Sequence, residues 1–228
     1  MIGLVWDFPG RVARSVDKRG VRGAVAEVWR RTVRRLYLRE AHCWLQLDLA
    51  GDRPRAGLAE PIVVRQVPEE DLAMIEQLGT FPLEEARRRH REGARLWVAQ
   101  AGEQVAIACW VFEHAVPAIA ARDGLVRLRP GVVSLEDLAV GTLPRTREGL
   151  TCYRGTFTSI CDHYQALGYD RLITKVELGN SAVRNRTARV GLQPIAEMRL
   201  LRIAGFSRVR LSGLRGAEAQ FLSSQLTR

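Results

Sequence analysis

From Pro61 onward the chain alternates between short strand-like runs and stretches with helical spacing. PIVVRQV, at 61–67, is a short β-run. Pro68 then leads Glu69, Glu70 and Asp71, an opening turn that suits the positive end of a helix. Thr80 is placed to cap a second helix, with Pro82, Glu84 and Glu85 in its first turn. ARLWVAQ and QVAIACWVFEH read as strands joined across AGEQ, a hairpin by its length and its glycine. VVSLEDLAV, at 132–140, is the next strand. The run GLTCYRGTFTSICDHYQALG then sets Phe157, Ile160, Cys161, Tyr164 and Leu167 on one helical face and stops at Gly168. YDRLITKVEL is a strand, and NSAVRNRTARVG a short helix opened by Asn180 and closed by Gly191. Two strands, LQPIAEMRLLRIAG and SRVRLS, and a terminal helix, GAEAQFLSSQL, complete the pattern.

The first 58 residues have a different texture. In GVRGAVAEVWRRTVRRLYLRE, Val25, Val28, Trp29, Thr32, Val33 and Leu36 recur at helical spacing, with Arg30, Arg31, Arg34 and Arg35 on the other side. The pattern predicts a basic amphipathic helix, followed by a few strand-like residues in CWLQLDLAG and a linker in GDRPRAGLAEP. Such a helix either packs on the main domain or touches an anionic membrane surface or a partner. The expected division is therefore an extension over 1–58 and a main domain over 59–228. The order of elements in that domain, β-α-α-β-β-β-α-β-α-β-β, is a mixed α+β arrangement with a central hairpin, not the strict alternation of a doubly wound sheet.

Charge and composition narrow the picture. A net charge of +10 and a pI near 10.4 invite a nucleic-acid reading. The basic residues are almost all arginines, with only Lys18 and Lys175 as lysines; they are spread along the chain, and no nucleic-acid signature accompanies them. No nucleic-acid partner is expected. Cys43, Cys109, Cys152 and Cys161 lack paired spacing, so neither a metal site nor a disulfide framework is indicated, and buried thiols are expected. No apolar run reaches the roughly 20 residues of a membrane span. Asp7 and Pro9 break the N-terminal apolar stretch, against a signal peptide, and a cytoplasmic location is expected. Nucleotide loops of the G-x-G-x-x-G and G-x-x-x-x-G-K-[ST] kinds are absent from the sequence.

The stretch LEDLAVGTLPRTREGLTC carries the chemistry. A strand bearing Glu136 and Asp137 runs into a loop with Arg145 and Arg147, and then into a helix start at Gly149. Helix starts leave about four backbone N–H groups unpaired and carry roughly half a positive charge, which suits a phosphate. Arginine adds a planar fork of donors. One strand later Asn180 opens a helix that ends at Gly191-Leu192. Taken together, these segments resemble the GNAT superfamily of N-acetyltransferases, over about residues 61–205. Leu138-Ala139-Val140 matches the family's strand end, Arg145 its loop arginine, and Asn180 with Gly191-Leu192 its second segment. Two departures stand out. The loop is one residue longer than the pattern, with Thr151 in place of a second Gly or Ala. Thr187 stands where many members carry a tyrosine that protonates the departing thiolate.

The resemblance implies a central, mostly antiparallel mixed sheet flanked by helices. It implies acetyl-CoA, or another acyl-CoA, lying between the strand at 132–140 and the strand at 170–178. The backbone of Leu138, Ala139 and Val140 would pair with the pantetheine arm. The segment Arg145, Thr146, Arg147, Glu148, Gly149, Leu150 and Thr151 would hold the pyrophosphate, and Asn180 would help fix the arm. No metal is implied. The acceptor would be an amine, on a small molecule or a peptide. Since on the order of one alkylamine in a thousand is deprotonated at pH 7, a carboxylate is needed to remove its proton. Glu136 is chosen over Asp137, because simple alternation puts it on the face of Leu138 and Val140. Glu136 and Thr187 are thus the expected catalytic positions. His114 is open between an acceptor-side and a structural role, and His163 reads as structural. A silent acyl-CoA-binding protein and a basic adaptor at membranes or nucleic acid stay open as alternatives, as does a homodimer.

Overall fold

The computed structural model describes residues 37–58, 60–141, 147–203 and 206–226. Its strands are β1 (Tyr37–Asp48), β2 (Ile62–Val67), β3 (Arg95–Ala101), β4 (Gln104–Phe112), β5 (Ala115–Pro117), β6 (Leu125–Arg127), β7 (Val132–Val140), β8 (Arg171–Glu177), β9 (Gln193–Ile203) and β10 (Phe206–Ser212). A 3-10 helix, Glu69–Leu78, precedes four α-helices: α1 (Leu83–Arg91), α2 (Arg147–Ala166), α3 (Ser181–Arg189) and α4 (Gly216–Leu226). The element types follow the sequence pattern closely. Pro82, not Thr80, occupies the cap position of α1 and offers no side-chain bond. The small β5–β6 hairpin is an addition that three-residue strands are too short to announce.

Eight strands form one sheet in the order β10-β9-β1-β8-β7-β4-β3-β2. All neighbours are antiparallel except β7 and β8. This is the expected mixed α+β architecture, a mostly antiparallel sheet with helices on both faces. On one face Leu72, Ile75, Ala86 and Leu222, from the 3-10 helix, α1 and α4, pack with Trp44, Trp110 and Leu200. On the other, Phe157, Ile160 and Tyr164 of α2 pack with Leu45, Val111, Val133 and Leu172. The four cysteines are free and buried.

The expected boundary at residue 58 needs correction. β1 is an interior strand, paired with β8 through Cys43↔Val176 and with β9 through Cys43↔Glu197. Tyr37 to Glu40, read from their spacing as the end of a helix, already belong to it. The stretch read as a linker is docked as well. Buried Arg53 binds Asp162 and Gln165 of α2, and the Ala56 amide donates to the Thr158 hydroxyl at 3.2 Å. Residues 37–58 thus complete the domain. The basic helix expected ahead of them lies outside the described residues.

Candidate active site

β7 and β8 pair in parallel through only Val132↔Arg171, Val133↔Leu172 and Ser134↔Ile173. Beyond Ser134 the strands part. β7 stays on β4, and β8 stays on β1. A parted pair leaves two facing edges of backbone N–H and C=O groups that an extended ligand can bridge, as an added strand does.

The parting has a local cause. Trp110 faces Glu136 and Ala108 faces Ala139, so two residues of β7, Asp137 and Leu138, stand opposite Cys109 alone. That is a β-bulge, with Asp137 at a left-handed φ of 52°. Asp is among the few residues that tolerate this region. Its carboxylate is held by Arg89 of α1. Arg89 also binds Glu85 at 2.8 Å and lies over the Phe81 and Trp110 rings, at 4.8 and 5.7 Å.

The bulge changes which side chains share a face. Simple alternation groups Glu136 with Leu138 and Val140. The register instead groups Glu136 with Ala139, on the Trp110 side, and moves Leu138 and Val140 to the other. Asp137, expected to point away from Glu136, reaches Arg89 beside the Trp110 ring. Leu138 and Val140 are exposed, while Ala139 is buried. Gly141 closes the strand, and a methyl group there would lie 2.5 Å from the Val105 carbonyl oxygen. The chain can leave the sheet at this point only without a side chain.

Glu136 lies at the point of divergence and is 5% exposed. The Ser134 hydroxyl donates to its Oε1 at 2.8 Å. Lys175, two residues past Ile173 and so on the same face of β8, brings its Nζ to 3.4 Å from Oε2. The same ammonium donates to the Pro117 carbonyl at 2.7 Å and sits 5.7 Å from the Trp44 ring. Burial pushes the Glu136 carboxyl above the usual carboxylate range, and Lys175 opposes that shift. A carboxylate of this kind accepts a proton more readily than an exposed one and keeps lone pairs to receive it. The next polar pair on this face is His42 Nε2 and Glu40 Oε2, 3.5 Å apart. The His42 hydrogen bond holds the Glu40 carboxyl low. No thiol competes as a nucleophile here, because burial pushes Cys109 and Cys161 up to about 12.

The remaining positions divide. Asn180 caps α3, accepting from the Val183 amide at 3.1 Å through its side-chain oxygen. Thr187 is buried, and its hydroxyl donates to the Arg184 carbonyl at 2.8 Å. α3 packs through Val183 on the α2 side of the sheet. Arg145 and Thr146 lie outside the described residues; Arg147, Glu148, Gly149, Leu150 and Thr151 form the opening of α2. His163 packs edge-on against Trp97, at 4.8 Å. The backbone carbonyl of His114 accepts from the Leu128 amide. Sequence reasoning missed Lys175. Its signal was a lysine inside the apolar strand LITKVEL, in a chain whose one other lysine is Lys18.

No protein-family model and no curated protein matches this chain. Solved structures do. A protein of Drosophila matches at 14% identity and a TM-score of 0.51, over 79% of this chain and 57% of its own. A GCN5-related glucosamine N-acetyltransferase region of a fungal multi-domain GH3 β-N-acetylglucosaminidase matches at 16% and 0.50, over 79% of this chain and 23% of that one. A GCN5-related N-acetyltransferase from Sphaerobacter thermophilus matches at 15% and 0.46, over 77% and 55%. The chain thus spans well under two thirds of each. At such identities the likeness is one of fold, and the chain has the GNAT fold.

Proposed function

We propose that this protein transfers an acetyl or longer acyl group from coenzyme A to an amine, on a small molecule or a peptide. The observation that carries the reading is the parting of β7 and β8 after Ser134↔Ile173, with buried Glu136 at the apex. The open edges of Leu138 to Val140 suit the amide-bearing arm of the coenzyme. The start of α2, from Arg147 to Thr151, suits its pyrophosphate, with Arg145 and Thr146 just before it in sequence. An acyl-CoA supplies an activated carbonyl carbon. Glu136, directly or through a water, takes the proton of the ammonium, and the freed amine attacks that carbon. The carbon–sulfur bond then breaks, the thiolate leaves, and the proton left over on the new amide nitrogen passes to that thiolate or to solvent, giving the amide and the free thiol. A thiol with a pKa near 8.5 departs without a strong acid. Thr187 already spends its proton on the Arg184 carbonyl, and that bond supports a departure unaided by it.

The same bond motivates a second reading, a protein that holds acyl-CoA without turning it over. Coenzyme release from acetyl-CoA with a panel of amines separates the two. Glu136→Gln should lower turnover by about 10²- to 10⁴-fold at unchanged coenzyme affinity. An unaltered rate removes Glu136 from the chemistry. Coenzyme binding without release under every amine favours the silent version.

A further inference from the structure

Among the described residues, the far end of the sheet is covered on one face only. There Met198 and Leu200 of β9 are buried, and Val209 and Leu211 of β10 pack beside them. Alternate residues point to the opposite face and are exposed: Tyr37 at 49%, Leu201 at 38%, Ile203 at 51% and Phe206 at 84%. Arg39, Arg199, Arg208 and Arg210 stand exposed on the same face.

The register arranges these residues in rows. Tyr37, Ile203 and Phe206 form the outermost row, at the β9–β10 hairpin end. Arg39, Leu201 and Arg208 form the next, followed by Ala41, Arg199 and Arg210. Rows on one face of a strand lie about 7 Å apart. An apolar tip with guanidinium groups one and two rows behind it matches the depth profile of a bilayer interface. Apolar groups sink about 5–10 Å, and basic ones stay among the phosphates. None of the four arginines is in an ion pair with a described residue. Glu40, next to Arg39 in β1, lies on the covered face opposite Leu200 and is engaged there by His42.

We propose that this face of β1, β9 and β10 docks on an anionic lipid bilayer. A second copy of the chain would set arginine rows against arginine rows. An apolar protein groove would bury four unpaired guanidinium groups. Anionic lipid satisfies both the phosphate-seeking rows and the apolar tip.

Flotation of the full chain with vesicles tests this, using phosphatidylcholine alone and a mixture with about one third phosphatidylglycerol. Wild type should float with the mixture, stay down with neutral lipid, and release as salt rises. Each arginine contributes about a fivefold gain in partition, so Arg208→Gln with Arg210→Gln should lose about 25-fold. Arg87→Gln with Arg91→Gln, exposed on α1 and equal in charge, should change nothing. Phe206→Ser should weaken partition at every salt concentration. The proposal falls if wild type ignores the anionic vesicles, or if the two double variants lose equally. It also falls if Phe206→Ser binds as wild type does, or if duplex DNA competes the protein off the vesicles while binding independently of Phe206.

Discussion

Replacing Lys175 by Met removes a cation from beside a buried carboxylate while keeping most of the aliphatic stem. At 3.4 Å and an effective dielectric near 20, the lost attraction is about 5 kcal/mol. The folded protein has a cheaper response, which is to protonate Glu136. At pH 7 that costs about 1.4 kcal/mol for each of the roughly 2.7 units above the ~4.3 of an unfolded glutamate, or about 3.7 kcal/mol. Proton uptake therefore wins. The Pro117 carbonyl also loses its donor, worth about 1 kcal/mol at any pH. The sign follows from linkage. With the lysine gone, the folded carboxyl titrates still further above its unfolded value than in the wild type, where burial already raises it, so across the added window the variant's folded state holds a proton that the unfolded state has lost. Stability must fall as pH rises through it. The deficit of Lys175→Met should be about 1 kcal/mol near pH 4.5 and grow as pH rises toward 7, by less than the ~3.7 kcal/mol of the whole span because the wild-type carboxyl is itself raised. Urea unfolding followed by the fluorescence of the wholly buried Trp44 and Trp110 measures it directly. Adding Glu136→Gln should abolish the pH dependence. A deficit that ignores pH, or one that survives unchanged in the double variant, would refute the coupling across the strand opening.

Two further outcomes follow from the backbone around the site. Asn180→Ala removes the 3.1 Å bond to the Val183 amide and should cost about 1 kcal/mol, read as a melting temperature about 2–4 °C lower, while Asn180→Ser should recover most of it. Gly141→Ala drives a methyl group to 2.5 Å from the Val105 carbonyl oxygen and 3.0 Å from Leu78, so a loss of about 1–3 kcal/mol in urea unfolding is expected; wild-type stability would show that the strand end yields.

Local signals in the chain determined most of the elements. Period-two runs marked β2, β3, β4 and β7, and the apolar stripe from Phe157 to Leu167, stopped by Gly168 at φ 86°, marked α2. Asn180 and Gly191 bounded α3 because a cap bond and a positive φ are properties of single residues. Glu136 was legible as an acid in a strand that should not tolerate one, and its burial gives that signal a physical content. What the chain alone could not decide was who sits beside whom. Tyr37 to Glu40 have helical spacing with the residues before them, yet become strand because β9 offers them backbone partners from Ile203 to Leu200. The bulge at Asp137 exists only where β7 is held against β4 and clamped by Arg89 from α1, and it alone reverses the face of Leu138 and Val140. Lys175 meets Glu136 only after α2 has crossed over to set a parallel register. Period and capping are short-range and written in neighbouring residues. Strand pairing and its irregularities are settled by contacts that close long loops, and those exist only once the sheet has formed.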